Sequence, residues 1–296
     1  MPSLRDVKRR IASVENTKKI TKAQEIVAAT KVRKAQQKVQ GARPYAEKML
    51  EVLQTTAERA SEYRHPWLEQ REVKQALLIL ITSDRGLAGG LNVNTIRAAN
   101  RFMNDRYPRD WKVVTIGRKG REFMTRFQRE LVGEVTGIPD LPGEKETLAA
   151  TRVAIDEFNE GRVDAVTLAY SKAVSTMKQE PQVRVLIPVE IPRREGEREQ
   201  GDRQPDDNPG GDYIYEPDPE GVLDALLPRY VETQVYQALL ENQASEHSAR
   251  MIAMRNATEN AGDLIEDLTL TMNKVRQTTI TTELMEIVGG AEALRQ

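Results

Sequence analysis

The stretch HSARMIAMRNATENAGDLIEDLTLTMNKVRQTT, residues 247–279, decides how the rest of the chain folds. Its small, flexible and apolar side chains recur at alternating steps of four and three: His247, Met251, Met254, Thr258, Ala261, Ile265, Leu268, Met272, Val275 and Thr279. This spacing is typical of a helix that buries one stripe against a second helix in a coiled coil. We expect the helix to begin near Pro219 and to end at a glycine cap formed by Gly289 and Gly290.

A partner stripe lies at the other end of the chain, in residues 1–40. Its apolar members are again spaced mostly by three and four: Leu4, Val7, Ile11, Val14, Ala28, Val32, Ala35 and Val39. Lys18, Thr21 and Glu25 interrupt the stripe, so this part of the helix faces either solvent or a partner. Residues 1–40 carry eleven Lys and Arg against three acids, whereas residues 241–285 carry seven acids against four bases. Opposite charges favour antiparallel pairing of the terminal helices, although each exposed ion pair contributes only about 0.2–1 kcal/mol.

Two helix breakers follow the N-terminal stripe. Pro44 lacks the N–H for a helical hydrogen bond, and Gly41 lowers the helix propensity. We therefore expect a bend or a break there, followed by a second helix from about Pro44 to Tyr63. The N-terminal coiled-coil helices would then occupy residues 1–62.

The middle of the chain changes from the helical period to short apolar runs. Four runs have the composition of buried strands: Ala76–Thr82, Lys112–Ile116, Ala165–Tyr170 and Val185–Val189. Helical patterns separate them: Asn92–Phe102, Arg118–Phe127 and Glu144–Asn159. This alternation predicts a Rossmann-like, doubly wound α/β domain over residues 73–190, with a mostly parallel sheet and helices on both faces. Residues 193–212 are almost wholly polar and predict a flexible loop, and residues 219–296 form the C-terminal coiled-coil helix.

Composition excludes several classes of function. The chain of 296 residues has no cysteine, only two histidines and a net charge of −1, so thiolate catalysis and cysteine-ligated metals are excluded. Its longest apolar run, Ala76–Ile81, is far shorter than the roughly 18 residues of a membrane span. The basic N-terminus lacks the apolar centre of a signal peptide. We expect a cytosolic protein with no catalytic residue, no bound cofactor and no metal site.

The glycine-rich stretch ITSDRGLAGGLN, residues 81–92, superficially resembles a phosphate loop. Its glycine spacing fits neither dinucleotide nor P-loop signatures, and it lacks the phosphate-binding lysine, so a tight turn is the favoured interpretation. Two alternatives remain open from the residues alone. One is a dinucleotide enzyme that binds its cofactor at the Gly86 turn. The other is a nucleic-acid binder that uses the basic residues of the first helix: Arg9, Arg10, Lys18, Lys19 and Lys22.

Three stretches closely resemble the gamma subunits of F-type ATP synthases. They are SLRDVKRRIASVENTKKITKAQEIVAATKVRKAQ at residues 3–36, ITSDRGLAGGLN at residues 81–92, and nearly all of residues 215–294. The resemblance implies a rotor shaft in which both terminal helices wind together inside a hexameric ring of alpha and beta subunits. It also implies contacts of the α/β domain with the epsilon subunit and the membrane c-ring. With no transit peptide, we expect a bacterial enzyme, peripheral on the cytoplasmic side of the plasma membrane.

The same resemblance implies which residues contact the ring. In the C-terminal helix they are Arg250, Arg276, Gln277, Thr281 and Glu283, which match the polar set that hydrogen-bonds a loop of the beta subunits. In the N-terminal helix they are Lys22 and Gln24, which match the family's coupling region. From the residues alone, a solvated helix face is the favoured interpretation of Arg276, Gln277 and Glu283, and the resemblance reverses that preference.

Overall fold

A computed structural model describes residues 3–60, 63, 65–107, 110–191 and 218–293 of the chain. The described residues form these elements in order: α1 Leu4–Arg59, β1 Ala76–Ile81, α2 Leu91–Arg106, β2 Lys112–Ile116, α3 Arg118–Arg126, β3 Leu131–Val135, α4 Lys145–Asn159, β4 Ala165–Ala173, β5 Gln179–Ile187 and α5 Pro219–Ala293. The predicted polar loop at residues 193–212 lies outside the described residues.

Contacts between Cα atoms divide the chain into two compact units. The first unit combines Met1–Thr30 with Arg250–Gln296, and the second comprises Lys31–Ala249. The two long helices run through both units. The finer domain division expected from the sequence stays a prediction.

In the first unit, α1 and α5 pair in antiparallel orientation. The Thr258 hydroxyl donates to the Thr21 hydroxyl over 2.8 Å, and the side chain of Lys18 lies opposite Gly262. As the residue number falls along α1, the number of the facing residue rises along α5, so the two helices are antiparallel. The buried residues of this unit are members of the predicted stripes: Val7, Thr21, Ala28, Met254, Ala261 and Leu268. The expected coiled coil is confirmed, and Thr21 shows that the polar interruption of the stripe faces the partner helix.

The second unit contains a five-stranded sheet in the order β3-β2-β1-β4-β5. The first four strands are parallel, and β5 runs antiparallel to β4. Every residue of β1 is fully buried, as expected for a central strand covered on both faces. The predicted doubly wound α/β architecture is confirmed.

Alternation along β1 sends its side chains into two separate cores. Leu78 and Leu80 pack with α2 and α3, for example against Met103 and Met124. The other face is covered by α4 and by parts of both long helices. Its members include Leu77, Ile79 and Ile81 from β1, Ala150, Ala154 and Phe158 from α4, Leu53 from α1, and Leu223, Leu227, Val231 and Val235 from α5. The long helices are therefore built into the sheet's core within this unit.

The prediction of a break in α1 was wrong. The helix is continuous through Gly41 and Pro44, with Leu53 fully buried further along. Pro44 removes one hydrogen bond to the carbonyl of Gln40, but Gln40 is exposed and water can replace the bond. Packing of the apolar face beyond Pro44 against the core outweighs the remaining cost.

Two further boundaries differ from the sequence prediction. The helix α5 continues past Gly289 and Gly290 to Ala293, because glycine costs a helix only about 1 kcal/mol and does not end it by itself. The strand β3 was not expected, since LVGEV contains Gly133 and Glu134 and lacks a clear apolar run. Because β3 is an edge strand, it buries little surface and does not need a continuous apolar run.

Candidate subunit-contact site

Among the described residues of the first unit, no helix lies beside the last part of α5. The pairs Thr21 with Thr258 and Lys18 with Gly262 place the first residue of α1, Leu4, opposite about Val275. Every residue from 276 to 288 is exposed. At 1.5 Å per residue, the segment from 276 to 293 extends about 27 Å beyond the start of α1. We call residues 276–288 the uncovered tip.

The tip carries two mixed stripes at helical spacing. One consists of Gln277, Thr281, Leu284 and Val288, and the other of Arg276, Ile280, Glu283 and Ile287. Their apolar members are half to two-thirds exposed, at 49% for Ile280, 56% for Leu284, 68% for Ile287 and 64% for Val288. Covering each would contribute about 1 kcal/mol. Contiguous exposed apolar surface with polar neighbours is typical of a protein-binding site.

Threonine hydroxyls in the tip are satisfied within the helix itself. The hydroxyl of Thr281 donates to the carbonyl of Gln277 over 2.9 Å. Thr278, Thr279 and Thr282 make the same bond to the residue four positions earlier, at 2.9–3.0 Å. Each of these side chains therefore presents mainly its methyl group to a neighbour. The tip gains apolar contact surface without gaining long, flexible side chains.

The other expected contact residues lie further along the coiled coil. The Lys22 ammonium pairs with Glu25 in the next turn at 3.0 Å, while more than half of the Lys22 side chain stays exposed. Gln24 and Arg250 are half-buried. About 39 Å of helix separates Arg250 from Arg276. The seven expected contact residues thus fall at two levels of one unit rather than in one pocket, and their roles remain predictions.

Sequence reasoning missed the apolar members of the tip. Ile280, Leu284, Ile287 and Val288 follow the last seam positions, Val275 and Thr279, but lie on other faces of the helix, beyond the level where α1 begins. The signal was present in TTITTELMEIV, residues 278–288, but interpreting it required the length of the partner helix. If only the polar residues of the uncovered tip are considered, the tip is interpreted as an ordinary solvent-exposed helix face.

The glycine-rich stretch is a structural corner of the second unit. Thr82 bonds the start of α3 through its hydroxyl, which accepts from the Gly120 N–H over 2.8 Å. Asp84 accepts from the backbone N–H groups of Arg118 and Ile138, over 2.8 and 2.7 Å. Gly117 has φ of +108°, and a Cβ there would lie 2.1 Å from the Thr82 carbonyl oxygen. These contacts support the interpretation as a tight turn.

The crevice between β1 and β4, where doubly wound sheets commonly bind ligands, is occupied by α5. Asn242 accepts from the backbone N–H of Ser171 over 3.1 Å, and the Ser245 hydroxyl donates to the Ser171 carbonyl over 2.8 Å. Ala249 packs against Ala88 and Leu91 of the glycine-rich stretch and α2. A helix of the chain itself therefore fills the position of a cofactor.

The described residues contain neither a candidate metal site nor a membrane-spanning helix. In residues 3–60, 63, 65–107, 110–191 and 218–293, no three His, Asp or Glu side chains are grouped closely enough to hold a metal ion. Within the same residues, no helix has the length and apolar character needed to cross a membrane.

Comparison with known proteins gives the family. A family model described as ATP synthase matches residues 3–294. The ATP synthase gamma chain of Acidovorax ebreus is 44% identical over 296 residues, covering 99% of this chain and all of its own. This chain belongs to the ATP synthase gamma family. Another relative in the gamma family, from Nitrosomonas europaea, is 45% identical over 302 residues, with 99% of this chain and all of its own covered.

Solved structures agree with the assignment to the gamma family. A central stalk and c-ring structure of the Tetrahymena thermophila mitochondrial ATP synthase contains a chain with 25% identity and a TM-score of 0.58, covering 80% of this chain and 99% of its own. A chain of the Euglena gracilis mitochondrial ATP synthase has a TM-score of 0.64 at 18% identity, covering 98% of this chain and 94% of its own. The second comparison shows the fold alone.

Proposed function

We propose that this chain is the central rotor of an F-type ATP synthase, with the uncovered tip of α5 as its bearing surface inside a ring of alpha and beta subunits. The observation that carries the proposal is the exposure of every residue from 276 to 288 on a helix that carries apolar side chains. Exposed apolar groups on a long single helix favour a surrounding sheath. Membership of the gamma family identifies the partner class that would supply it.

The mechanism follows from asymmetry. A shaft of two unequal helices cannot contact three equivalent catalytic subunits in the same way, so its angle biases each subunit toward a different nucleotide affinity. Coupling between binding and conformation is reciprocal, so nucleotide hydrolysis turns the shaft and turning the shaft drives synthesis. The chain's contribution is then mechanical, with catalytic sites and nucleotides on the beta subunits and none on this chain.

The α/β unit would contact other parts of the motor. We further propose that it binds the epsilon subunit and the membrane c-ring, and that the chain is a peripheral subunit on the cytoplasmic side of the plasma membrane. Neither the dinucleotide enzyme nor the nucleic-acid binder suggested by the residues is proposed again. Membership of the gamma family favours the rotor over both alternatives, and α5 packs at the end of β4 where a dinucleotide would bind.

Within this function the expected contact residues divide by level. Arg276, Gln277 and Glu283 would hydrogen-bond the ring at the tip, beside the apolar members of the same stripes. Thr281 would join them only as an acceptor, because its hydroxyl hydrogen is donated to the carbonyl of Gln277. Lys22, Gln24 and Arg250 would act lower on the coiled coil. A rotating contact needs many weak interactions that can be exchanged, and exposed polar groups contribute only about 0.5–1.5 kcal/mol each.

The test is assembly of the complex from purified alpha, beta, epsilon and this chain. Replacing Gln277 and Thr281 together by alanine should weaken hexamer binding by about 2 kcal/mol, or roughly 30-fold, and lower the torque. The matched control replaces Gln37 and Thr30, an exposed pair on α1 in which the threonine also bonds its own helix. Normal assembly and rotation-coupled ATPase without this chain would refute the function. Equal behaviour of both variants would refute only the site.

A further inference from the structure

The loop between β3 and α4, residues 136–144, is held by both long helices within the second unit. The Lys31 ammonium pairs with Asp140 at 2.7 Å, and the Lys38 ammonium donates to the Pro142 carbonyl. From α5, the Gln243 amide donates to the Pro139 carbonyl over 2.5 Å, and the Tyr236 hydroxyl donates to the Pro142 carbonyl over 3.3 Å. We call residues 136–144 the strap.

The four helix residues form two levels. Lys31 and Lys38 are seven residues apart on α1, and Tyr236 and Gln243 are seven residues apart on α5. Seven residues correspond to one heptad, or about 10.5 Å of helix. One level, Lys31 with Gln243, holds the strap at Pro139 and Asp140. The other, Lys38 with Tyr236, holds it at Pro142. Each helix therefore bonds the strap at two positions one heptad apart, and the positions on α1 face those on α5.

The opposite side of the strap is fastened to the sheet. The backbone N–H of Ile138 donates to Asp84, at the end of β1, over 2.7 Å. At the end of β3, the Val135 carbonyl accepts from the Gly117 N–H over 2.8 Å. The side chain of Ile138 packs against the core that β1 shares with the long helices. A load on either helix can therefore reach the central strands through the strap.

The strap itself is built to stay in one conformation. Pro139 and Pro142 have fixed φ angles, and Pro142 is buried. The Gly143 N–H donates to the Glu146 carboxylate over 2.7 Å, which ties the strap to the first turn of α4. Burial raises the pKa of the Tyr236 hydroxyl, assisted by Glu144 and Glu146, so the group stays a donor at neutral pH. A stiff loop transmits force, whereas a flexible loop would absorb it.

Packing beside the strap is incomplete. An open groove of about 320 Å³ lies there, lined by residues that include Lys38, Tyr45, Glu144 and Tyr236. Apolar contact is non-directional and resists sliding weakly, whereas hydrogen bonds and ion pairs fix angles. At this place the orientation of the helices against the loop depends on the directional contacts.

We infer that the strap is a torque link, in which Lys31, Lys38, Tyr236 and Gln243 fix the angle between the α/β sheet and the long helices. The inference rests on the proposed rotor function, because the strap transmits torque only if the chain rotates. The four residues act through the strap and touch no nucleotide, so they are positioning residues. Loss of their contacts should soften the rotor without changing the chemistry.

The experiment measures torsional stiffness in the assembled complex. The hexamer is fixed to a surface, and a bead is attached to a cysteine that replaces Val174, an exposed residue of the β4–β5 hairpin. The chain has no other cysteine, so the bead has one attachment point on this chain, and the hexamer uses alpha and beta subunits without exposed cysteines. Replacing Lys31 and Lys38 by methionine removes two of the four hydrogen bonds and should raise the angular variance at the ATP-waiting position by about twofold.

The matched control replaces Arg33 and Lys34, exposed residues of the same helix, by methionine. It makes the same change in charge and should leave the angular variance at the wild-type value. Arginine at both Lys31 and Lys38 keeps two cationic donors and should restore most of the stiffness. ATPase turnover without a bead should be the same in all variants, which a merely structural role would not predict.

The possible outcomes are separable. Equal variance in the Lys31/Lys38 variant and its control would overturn the torque link while leaving the rotor intact. A wild-type complex that hydrolyses ATP without turning the bead would overturn the proposed function instead. If the Lys31/Lys38 variant fails to assemble, spin labels at cysteines replacing Gln37 and Val174 are compared in the full chain alone. A broadened distance distribution supports the link, and an unchanged one overturns it.

Discussion

Replacing Asn242 by alanine should destabilise the second unit strongly, although Asn242 is a polar residue in a long surface helix. The side chain is only 2% exposed and accepts the backbone N–H of Ser171, a residue just past the last pairing of β4 with β1. Without the amide oxygen, that N–H is buried and unpaired, at a cost of about 1–3 kcal/mol. The vacated space of about 25 Å³ adds about 0.6 kcal/mol.

The expected total is therefore about 3 kcal/mol, which corresponds to a fall of about 6–12 °C in the midpoint for a unit of this size. Thermal unfolding of the full chain, followed by circular dichroism at neutral pH, measures it. Asn260, an exposed residue of the same helix, provides the matched control, and its replacement by alanine should change stability by less than about 0.5 kcal/mol.

A second replacement tests the pairing itself. Ser245 donates to the carbonyl of Ser171, so its change to alanine perturbs the other backbone group of the same residue. The Asn242 and Ser245 variants should be non-additive, by about 0.5 kcal/mol or more, because they share one partner. A change at Asn242 as small as that at Asn260 would refute the view that α5 closes the crevice by hydrogen bonds to β4.

Three further outcomes are expected for the full chain. Gly117→Ala should unfold the second unit at ordinary temperature or lower its midpoint severely, because the new Cβ would collide with the Thr82 carbonyl. Leu53→Ala should cost about 2–5 kcal/mol in chemical unfolding, since its side chain is fully buried in the core. Lys31 holds the pKa of Asp140 below its ordinary value of 3.8, so the pair stabilises the fold above that pH and is lost as pH falls through the lowered pKa. Lys31→Met should raise this pKa in an NMR titration.

Each outcome has a control or a contradicting result. Gly41 is an exposed helical glycine with open space around it, and its change to alanine should stabilise the chain by up to about 1 kcal/mol. Ile26 is 58% exposed, and its truncation should be nearly neutral. A tolerated alanine at Gly117, a neutral change at Leu53, or an Asp140 titration unaffected by Lys31→Met would each contradict the contacts described.

The sequence was most informative where burial is complete. The run ALLILI of β1 is buried on both faces and was recognised by composition, because a central parallel strand needs an unbroken apolar run. The seam from Met251 to Val275 was recognised by period, because a helix pair selects the same face every three or four residues. Both signals are local and repeat many times.

Features that depend on distant partners were not predictable. The continuity of α1 through Pro44 depends on packing against the core, and the strap is held by backbone carbonyls more than 90 residues away from their donors. The sequence of residues 139–142 contains no pattern that predicts these contacts with α1 and α5. The contact residues at the tip came from resemblance to a family, and only the structure shows that their neighbours are exposed apolar side chains.

The threonines of the tip have one more consequence. Each hydroxyl already donates its hydrogen to a carbonyl of its own helix. A neighbouring protein surface would therefore contact methyl groups and find no free hydroxyl donor on these threonines. Valine has the same shape as threonine, but its second methyl group is more costly to expose to water than a hydroxyl. Valine would therefore bind a neighbouring surface more tightly. In the proposed rotor, the threonines would let the tip turn against its ring with few hydrogen bonds to break.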